Sequence, residues 1–291
     1  MNKKIMNTAT VINYVEDHLM DKLSVEKVAL AVHYSKYHLH RVFTETVGVT
    51  IHDYIRRRQL TEAARQLVFS DKPIIEIALF AGYESQQAFT TVFKAMYKQS
   101  PRQYRETEVF YPLQLRCVLS EAPSKRDSNM NWENKIIFSN DDDIQCWMDL
   151  VHLVIDGFPY LIENEYVEKL KAYIRKRCAL MIKDGDMAVG IMAVDDITGM
   201  IDFLGIHPQY RGKGIFRAFL QNTFSELIPD TSSICMTTFR EGDKADPGYR
   251  KVLKKNGFTE AELLVEFGYP TQKFIFRREN LEVNFDGTDR F

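Results

Sequence analysis

Cysteine is scarce: four in 291 residues, at Cys117, Cys146, Cys178 and Cys235. No two stand at metal-ligand spacing, so no metal site and no disulfide framework organises the chain. Scattered reduced thiols in a cytoplasmic protein are expected instead. Long apolar runs are missing too; nothing approaches the roughly 18 consecutive residues that a membrane-spanning helix needs. The start, MNKKIMNTAT, is basic, but Glu16 and Asp17 interrupt the apolar segment behind it, so no signal peptide is expected. Net charge is nearly absent, at −2. Hydrophobic residues at 45% and charged residues at 27% are ordinary for a globular chain. The length suits two domains, each with its own core.

The small net charge hides an asymmetry. Residues 1–106 carry 15 Lys+Arg against 11 Asp+Glu, and the remainder carries 23 against 29. Five of the seven histidines also fall in the first of these regions. A mildly basic domain joined to an acidic one suits a nucleic-acid partner for the first only.

The basic region contains the same pattern twice. LSVEKVALAVHYSKYHLHRVFTETVGVTIHDY ends at Tyr54, and KPIIEIALFAGYESQQAFTTVFKAMYKQSPRQY ends at Tyr104. Val28-Ala29 aligns with Ile77-Ala78 at an offset of 49, whereas Phe43 meets Phe93, and Tyr54 meets Tyr104, at 50. One inserted residue in the turn accounts for the change. Each copy reads as a short apolar helix, a tight turn and a longer helix beginning at Ser35 or near Glu84. This is the helix-turn-helix plan, whose second helix enters the major groove of DNA. Thr8 or Thr10 is expected to cap a first helix, Ser24 the next, and Gly48 to end the helix that Ser35 opens. A long helix over about 51–69 joins the copies. At 1.5 Å per residue it measures about 28 Å, enough to hold two recognition helices about one DNA turn apart, so one chain could fill two successive grooves. Arg56, Arg57 and Arg58 near its start read either as intradomain ion pairs or solvated residues, or as phosphate contacts.

The arrangements S-K-x-H-L-x-R-x-F, G-Y-x-S-x-x-x-F-x-x-x-F-K and S-P-x-x-Y-R resemble the AraC/XylS family of transcriptional regulators. SKYHLHRVF and GYESQQAFTTVFK are most similar to its Mar/Sox/Rob branch. The resemblance covers about 8–105 and implies a bipartite domain that acts on promoter DNA with RNA polymerase, usually as an activator. By motif position, Lys36, Tyr37, His40 and Arg41 would face the first groove, and Gln86, Gln87, Thr90 and Thr91 the second. Arg suits guanine O6/N7, Gln suits adenine, and Thr suits a thymine methyl. Thr91 stands where that branch carries arginine, and Lys98 replaces the glycine that often precedes Ser-Pro.

VFYPLQLRCVL, from Val109, could form a strand; EAPSKRDSNMN behind it has linker composition. Domains are therefore expected at 1–107 and 134–291, with a linker over 108–133. Beyond it the pattern alternates. A strand is read at Ile136–Phe138, helices after Asp141–Asp143 and from about Glu163, a hairpin turning at Asp184-Gly185-Asp186, and a strand from Met200 to Ile206. Then come Gln209-Tyr210-Arg211-Gly212-Lys213-Gly214 and a helix from Ile215 to Leu227. Two glycines before a helix let backbone N–H groups approach a phosphate.

Gln209 to Gly214, with the later GYRKVLKKNGF, resembles the GNAT acetyltransferase superfamily over about 135–280. The implied whole is an all-α double helix-turn-helix domain followed by an α/β, GNAT-like mixed and splayed sheet holding acetyl-CoA or another acyl-CoA. Gln209, Arg211, Gly212, Lys213 and Gly214 would bind its pyrophosphate, and Leu204 to Ile206 would follow its pantetheine arm. Many members place a tyrosine general acid where this chain has Leu253. Asp246 with Pro247 replaces the usual Asn as helix cap, and Tyr249 lies one turn earlier. Asp202 and Tyr249 are the candidate catalytic residues, with His207 a second candidate base, each also readable as structural. The expected function is a DNA-binding regulator, monomeric or weakly dimeric, whose second domain senses an acyl-CoA or small effector. The alternatives are an N-acetyltransferase of a small amine, antibiotic or protein lysine, and a fold that only mediates interactions.

Overall fold

The computed structural model describes residues 3–21, 23–119, 131–154, 163–266 and 269–281. They group into two compact units. The first holds the described residues through 119 together with Asp243–Ala245, and the second holds the rest. The stretch 120–130, the core of the expected linker, lies outside the described residues.

The first unit is helical: α1 (Lys3–Asp17), α2 (Val25–Ala31), α3 (Lys36–Val47), α4 (Ile51–Phe69), α5 (Ile74–Phe80), α6 (Gln86–Tyr97) and α7 (Pro101–Thr107). Its helix starts follow local chemistry. Ser24, Ser35, Thr50, Ser85 and Ser100 each accept a hydrogen bond from the backbone N–H three residues on, which satisfies an otherwise orphaned donor. Thr8 and Thr10 do not cap as expected. Both sit inside α1 and donate back to Lys4 O (2.9 Å) and Met6 O (3.1 Å), the competing use of a threonine hydroxyl.

Two apolar cores share one helix. The first half of α4 gives Ile51, Tyr54 and Ile55 to a core with α1, α2 and α3. The second half gives Leu60, Ala63, Ala64 and Leu67 to a core with α5, α6 and α7. Between them Arg57 and Arg58 are almost fully buried. Arg58 grips Glu16 of α1 with two hydrogen bonds (Nε–Oε1 2.9 Å, Nη2–Oε2 2.8 Å) and donates to Gln114 O at 3.0 Å. Tyr54 also donates to Glu16, at 2.8 Å. The ion-pair reading of Arg56, Arg57 and Arg58 thus holds for Arg58, and for Arg56, which pairs with Asp53 at 2.9 Å.

The segment VFYPLQLRCVL is not a strand. It is irregular, is hydrogen-bonded to α4 and belongs to the helical unit rather than to a linker opening at 108. Its backbone donors find helix side chains instead of a second strand. Leu113 N and Gln114 N donate to Thr61 Oγ1 (3.0 and 3.2 Å), and Cys117 N donates to Tyr54 Oη (3.1 Å). That meets the requirement that buried amides be paired without a ladder.

The second unit contains two antiparallel sheets. β1 (Ile136–Phe138), β2 (Ala179–Asp184), β3 (Met187–Val194) and β4 (Ile201–Ile206) pair in sequence order. β5 (Ser233–Phe239), β6 (Thr259–Glu266) and β7 (Tyr269–Arg277) form the other, with β7 central. Among the described residues one parallel bridge, Met200↔Cys235, joins them, just before β4 and near the start of β5. The mixed pairing that was expected is confined, among the described residues, to this bridge. Helices α8 (Ile144–Val154), α9 (Glu163–Arg175), α10 (Ile215–Asn222) and α11 (Tyr249–Lys255) complete the unit. The expected helix over Ile215–Leu227 changes character partway: α10 passes into a π-helical turn at Thr223–Leu227. The core between α10 and the sheets includes Val189, Phe216, Phe219, Phe274 and Phe276.

Candidate nucleic-acid interface and a glycine turn

The two helix-turn-helix copies have matching backbones. After α2, His33 N donates to Leu30 O and Tyr34 N to Ala29 O. After α5, Gly82 N donates to Leu79 O and Tyr83 N to Ala78 O. His33 and Gly82 both have positive φ, 56° and 82°. The next matched residues are the caps Ser35 and Ser85, so the inserted residue is the exposed Glu84.

Beyond the caps the registers stay locked. Leu39, Phe43, Thr46 and Val47 are the buried face of α3; Phe89, Phe93, Met96 and Tyr97 are that of α6. Helical spacing then fixes what remains outside. Lys36, Tyr37, His40 and Arg41 are all exposed, Tyr37 at 79%. Their counterparts Gln86, Gln87 and Thr91 are exposed and Thr90 is half-buried. All eight residues expected at the grooves thus lie at equivalent positions of two capped helices. Lys36 is ion-paired with Glu26 of α2, which lowers the Glu26 carboxyl to about 2. Thr91 Oγ1 donates to Gln87 O at 3.0 Å, so its hydroxyl is already engaged.

In the second unit, β4 leads into a 3-10 turn at Pro208–Tyr210 and then into the glycines. Gly212 and Gly214 have φ of 72° and 82°. Both are left-handed values that side-chain-bearing residues resist. Gly214 is the N-cap of α10, and no side chain caps that first turn. Arg211 is half-buried and donates from Nε to Ile206 O at 3.3 Å; Lys213 is exposed, with its ammonium 4.4 Å from the Tyr210 ring centre. Partial burial holds the Lys213 ammonium below its usual pKa, with the Asp184 charge opposing the shift. Positive-φ glycines, an uncapped helix start and two adjacent cations are groups that fit the pyrophosphate of an acyl-CoA. Gln209 is half-buried, and Leu204 is half-buried against the core. Ile206 is 2% exposed, so its side chain belongs to the core.

The candidate acid–base residues are more constrained. His207 is almost fully buried, and its Nδ1 accepts from Gln209 N at 3.2 Å. Burial, then the charges of Arg211 and Lys213, lower its pKa to about 4. It is a neutral cap rather than a free base. Asp202 opens β4 and is held from α9: Lys169 Nζ lies 2.5 Å from Oδ2, and Tyr173 donates its hydroxyl to the same oxygen. Burial and that carboxylate raise the Tyr173 pKa far above its ordinary value, which fixes it as a donor. Tyr249 is the first residue of α11, its N–H donating to Asp246 Oδ1 at 2.8 Å. Asp246 also accepts from Gly248 N at 2.8 Å, but the N-cap of α11 is Gly248 and not the expected Asp246, and no side chain caps it. Leu253, where many GNAT members carry a tyrosine, is fully buried.

Sequence reading missed the partners. Lys169 and Tyr173 stand four apart on one helix face, a spacing that could have marked them. Glu16, which accepts three hydrogen bonds from two side chains, Tyr54 and Arg58, carried no signal beyond being an acid in an amphipathic helix.

Comparison with known proteins bears on these geometries. A family model for a helix-turn-helix domain matches residues 28–107. The multiple antibiotic resistance protein MarA of Escherichia coli is 38% identical over 108 residues, 37% of this chain and 85% of MarA. An uncharacterized helix-turn-helix-type transcriptional regulator, YbfP of Bacillus subtilis, is 45% identical over 94 residues, 32% of each chain. The chain therefore spans about a third of YbfP but most of MarA. A solved acetyltransferase of the GNAT family from Bacillus cereus aligns with 49% of this chain and 95% of its own, at 17% identity and a TM-score of 0.37.

Proposed function

The chain belongs to the AraC-type helix-turn-helix regulators, and from that premise we propose that it binds two successive major grooves of promoter DNA as one molecule while its second unit senses an acyl-CoA. Binding of double-stranded DNA follows from the family. The finer reading rests on one observation: α3 and α6 carry the same cap, buried face and exposed positions. An α4 of about 28 Å is long enough to hold them about one DNA turn apart. The protein acts in the cytoplasm, and activation through RNA polymerase fits the family.

For the second unit, the glycine turn supports capture of a pyrophosphate by the amides from Arg211 to Gly214. When bound, the cofactor would bring an activated acyl thioester. The surrounding residues favour holding it over using it: Leu253 supplies no proton, Asp202 is tied to Lys169 and Tyr173, and His207 is neutral and sealed. A sensor is therefore preferred to an N-acetyltransferase.

The test is selection of duplexes from a random pool by the full chain, followed by titration of the selected duplex with and without acetyl-CoA. Two recognised half-sites about 10 base pairs apart, with affinity that depends on acetyl-CoA, are expected. A single half-site would sink the bipartite reading, and indifference to acetyl-CoA would sink the sensor.

A further inference from the structure

Trp132 belongs to none of the motifs used so far. It stands just before β1, where the described chain enters the second unit. Its indole is half-buried against the same core that seats α10. A Cβ placed on Gly214 would meet Trp132 Cδ1 at 4.0 Å, with no nearer neighbour. The indole edge therefore lies on the side of Gly214 toward which a side chain would point. Tyr210 meets it edge-on, ring centres 6.1 Å apart.

We infer that Trp132 takes the purine of a bound acyl-CoA. The inference rests on the glycine turn being an acyl-CoA phosphate site. A pyrophosphate on those amides carries its adenosine directly behind it, so an aromatic ring beside Gly214 is within reach of the base. The other rings are spent. Tyr210 is 2% exposed and already carries Lys213 over its face, and its hydroxyl is bound to Asp184. Trp147, the only other tryptophan, is fully buried, with its Nε1 donating to the Tyr166 hydroxyl at 2.9 Å. Trp132 alone of the two tryptophans keeps exposed surface. Core packing fixes its position in advance, so stacking costs little further ordering. The Lys213 ammonium, over the Tyr210 ring that Trp132 meets, would serve the ribose phosphate of the same nucleotide.

The experiment is tryptophan emission of the full chain, titrated separately with acetyl-CoA, 3′,5′-ADP and pantetheine, beside calorimetry. The buried Trp147 supplies a steady background. Saturable quenching by acetyl-CoA and 3′,5′-ADP, and none by pantetheine, is expected. Trp132→Leu should weaken acetyl-CoA binding about tenfold, and Trp132→Phe should restore most of it while abolishing the quenching. Should Trp132→Leu not fold, the wild-type emission and Trp132→Phe decide alone. Acetyl-CoA that binds by calorimetry without moving the emission, with unchanged affinity in the variants, would make the indole core packing only and leave the site reading intact. Neither heat nor quenching with any probe would overturn both.

Discussion

The two halves of the helical unit have nearly the same backbone and little surface chemistry in common. Where α3 presents Lys36, Tyr37, His40 and Arg41, α6 presents Gln86, Gln87, Thr90 and Thr91. Four titratable groups, three of them cationic or able to become so, are replaced by two amides and two hydroxyls. The halves are also secured differently. The first relies on buried charge, Glu16 with Arg58 and the Tyr54 hydroxyl. The second relies on a tyrosine cluster, in which Tyr104 donates to Tyr111 O at 3.1 Å and accepts from Tyr111 N at 2.9 Å. A repeated fold therefore imposes neither a repeated binding surface nor a repeated means of stability. What repeats is the set of buried positions and caps.

The largest effect should come from breaking the first half's fastening. Arg58→Met leaves Glu16 buried without its cation, and should cost about 3–5 kcal/mol in urea unfolding. A loss under 1 kcal/mol would mean that the pair is dispensable and that the halves are secured alike. Next comes exchange of surface chemistry. Arg41→Thr should lower affinity for the selected duplex by about 1–3 kcal/mol. Thr91→Arg should steepen the dependence of log K on log salt by about 0.9, the slope of one added phosphate contact. An Arg41→Thr loss of equal size on random duplex would make Arg41 a phosphate contact instead of a base contact. Tyr104→Phe, which unpairs the Tyr111 amide, should cost about 1–2 kcal/mol. The smallest effects test the turns. His33→Gly should stabilise by up to about 1 kcal/mol and Gly82→Ala destabilise by about 1–2 kcal/mol. The nearest atom to a Cβ on Gly82 is Gln59 Nε2 at 3.5 Å, an ordinary contact, so the cost there is one of backbone conformation. Changes of the same sign at the two turns would contradict their equivalence.

Much of this was legible because periodicity and caps are local. Ser35 and Ser85 announce α3 and α6, while the eight residues offered to the grooves come from the family resemblance. The glycine turn was legible for the same reason, since its left-handed residues are glycines. What escaped depends on distant partners. VFYPLQLRCVL has the composition of a strand, yet Thr61 and Tyr54 supply its hydrogen bonds from a helix. Asp202 reads as a free carboxylate until Lys169 and Tyr173 are found beside it. Trp132 lies far in sequence from the Gly214 it faces.

The position of Glu84 bears on how the repeat could drift. An extra residue within α4 would rotate everything after it by about 100° about the helix axis and shift it by 1.5 Å. The second reading head would then point away from the face of the duplex engaged by the first. The added residue lies instead in an exposed turn, after the Tyr83–Ala78 hydrogen bond and before the Ser85 cap. There the chain takes up the extra length before the next helix begins, and the angular phase between the two heads is kept. α4 acts as the phase-setting shaft of the domain, and length variation should be tolerated in its turns and not along its axis.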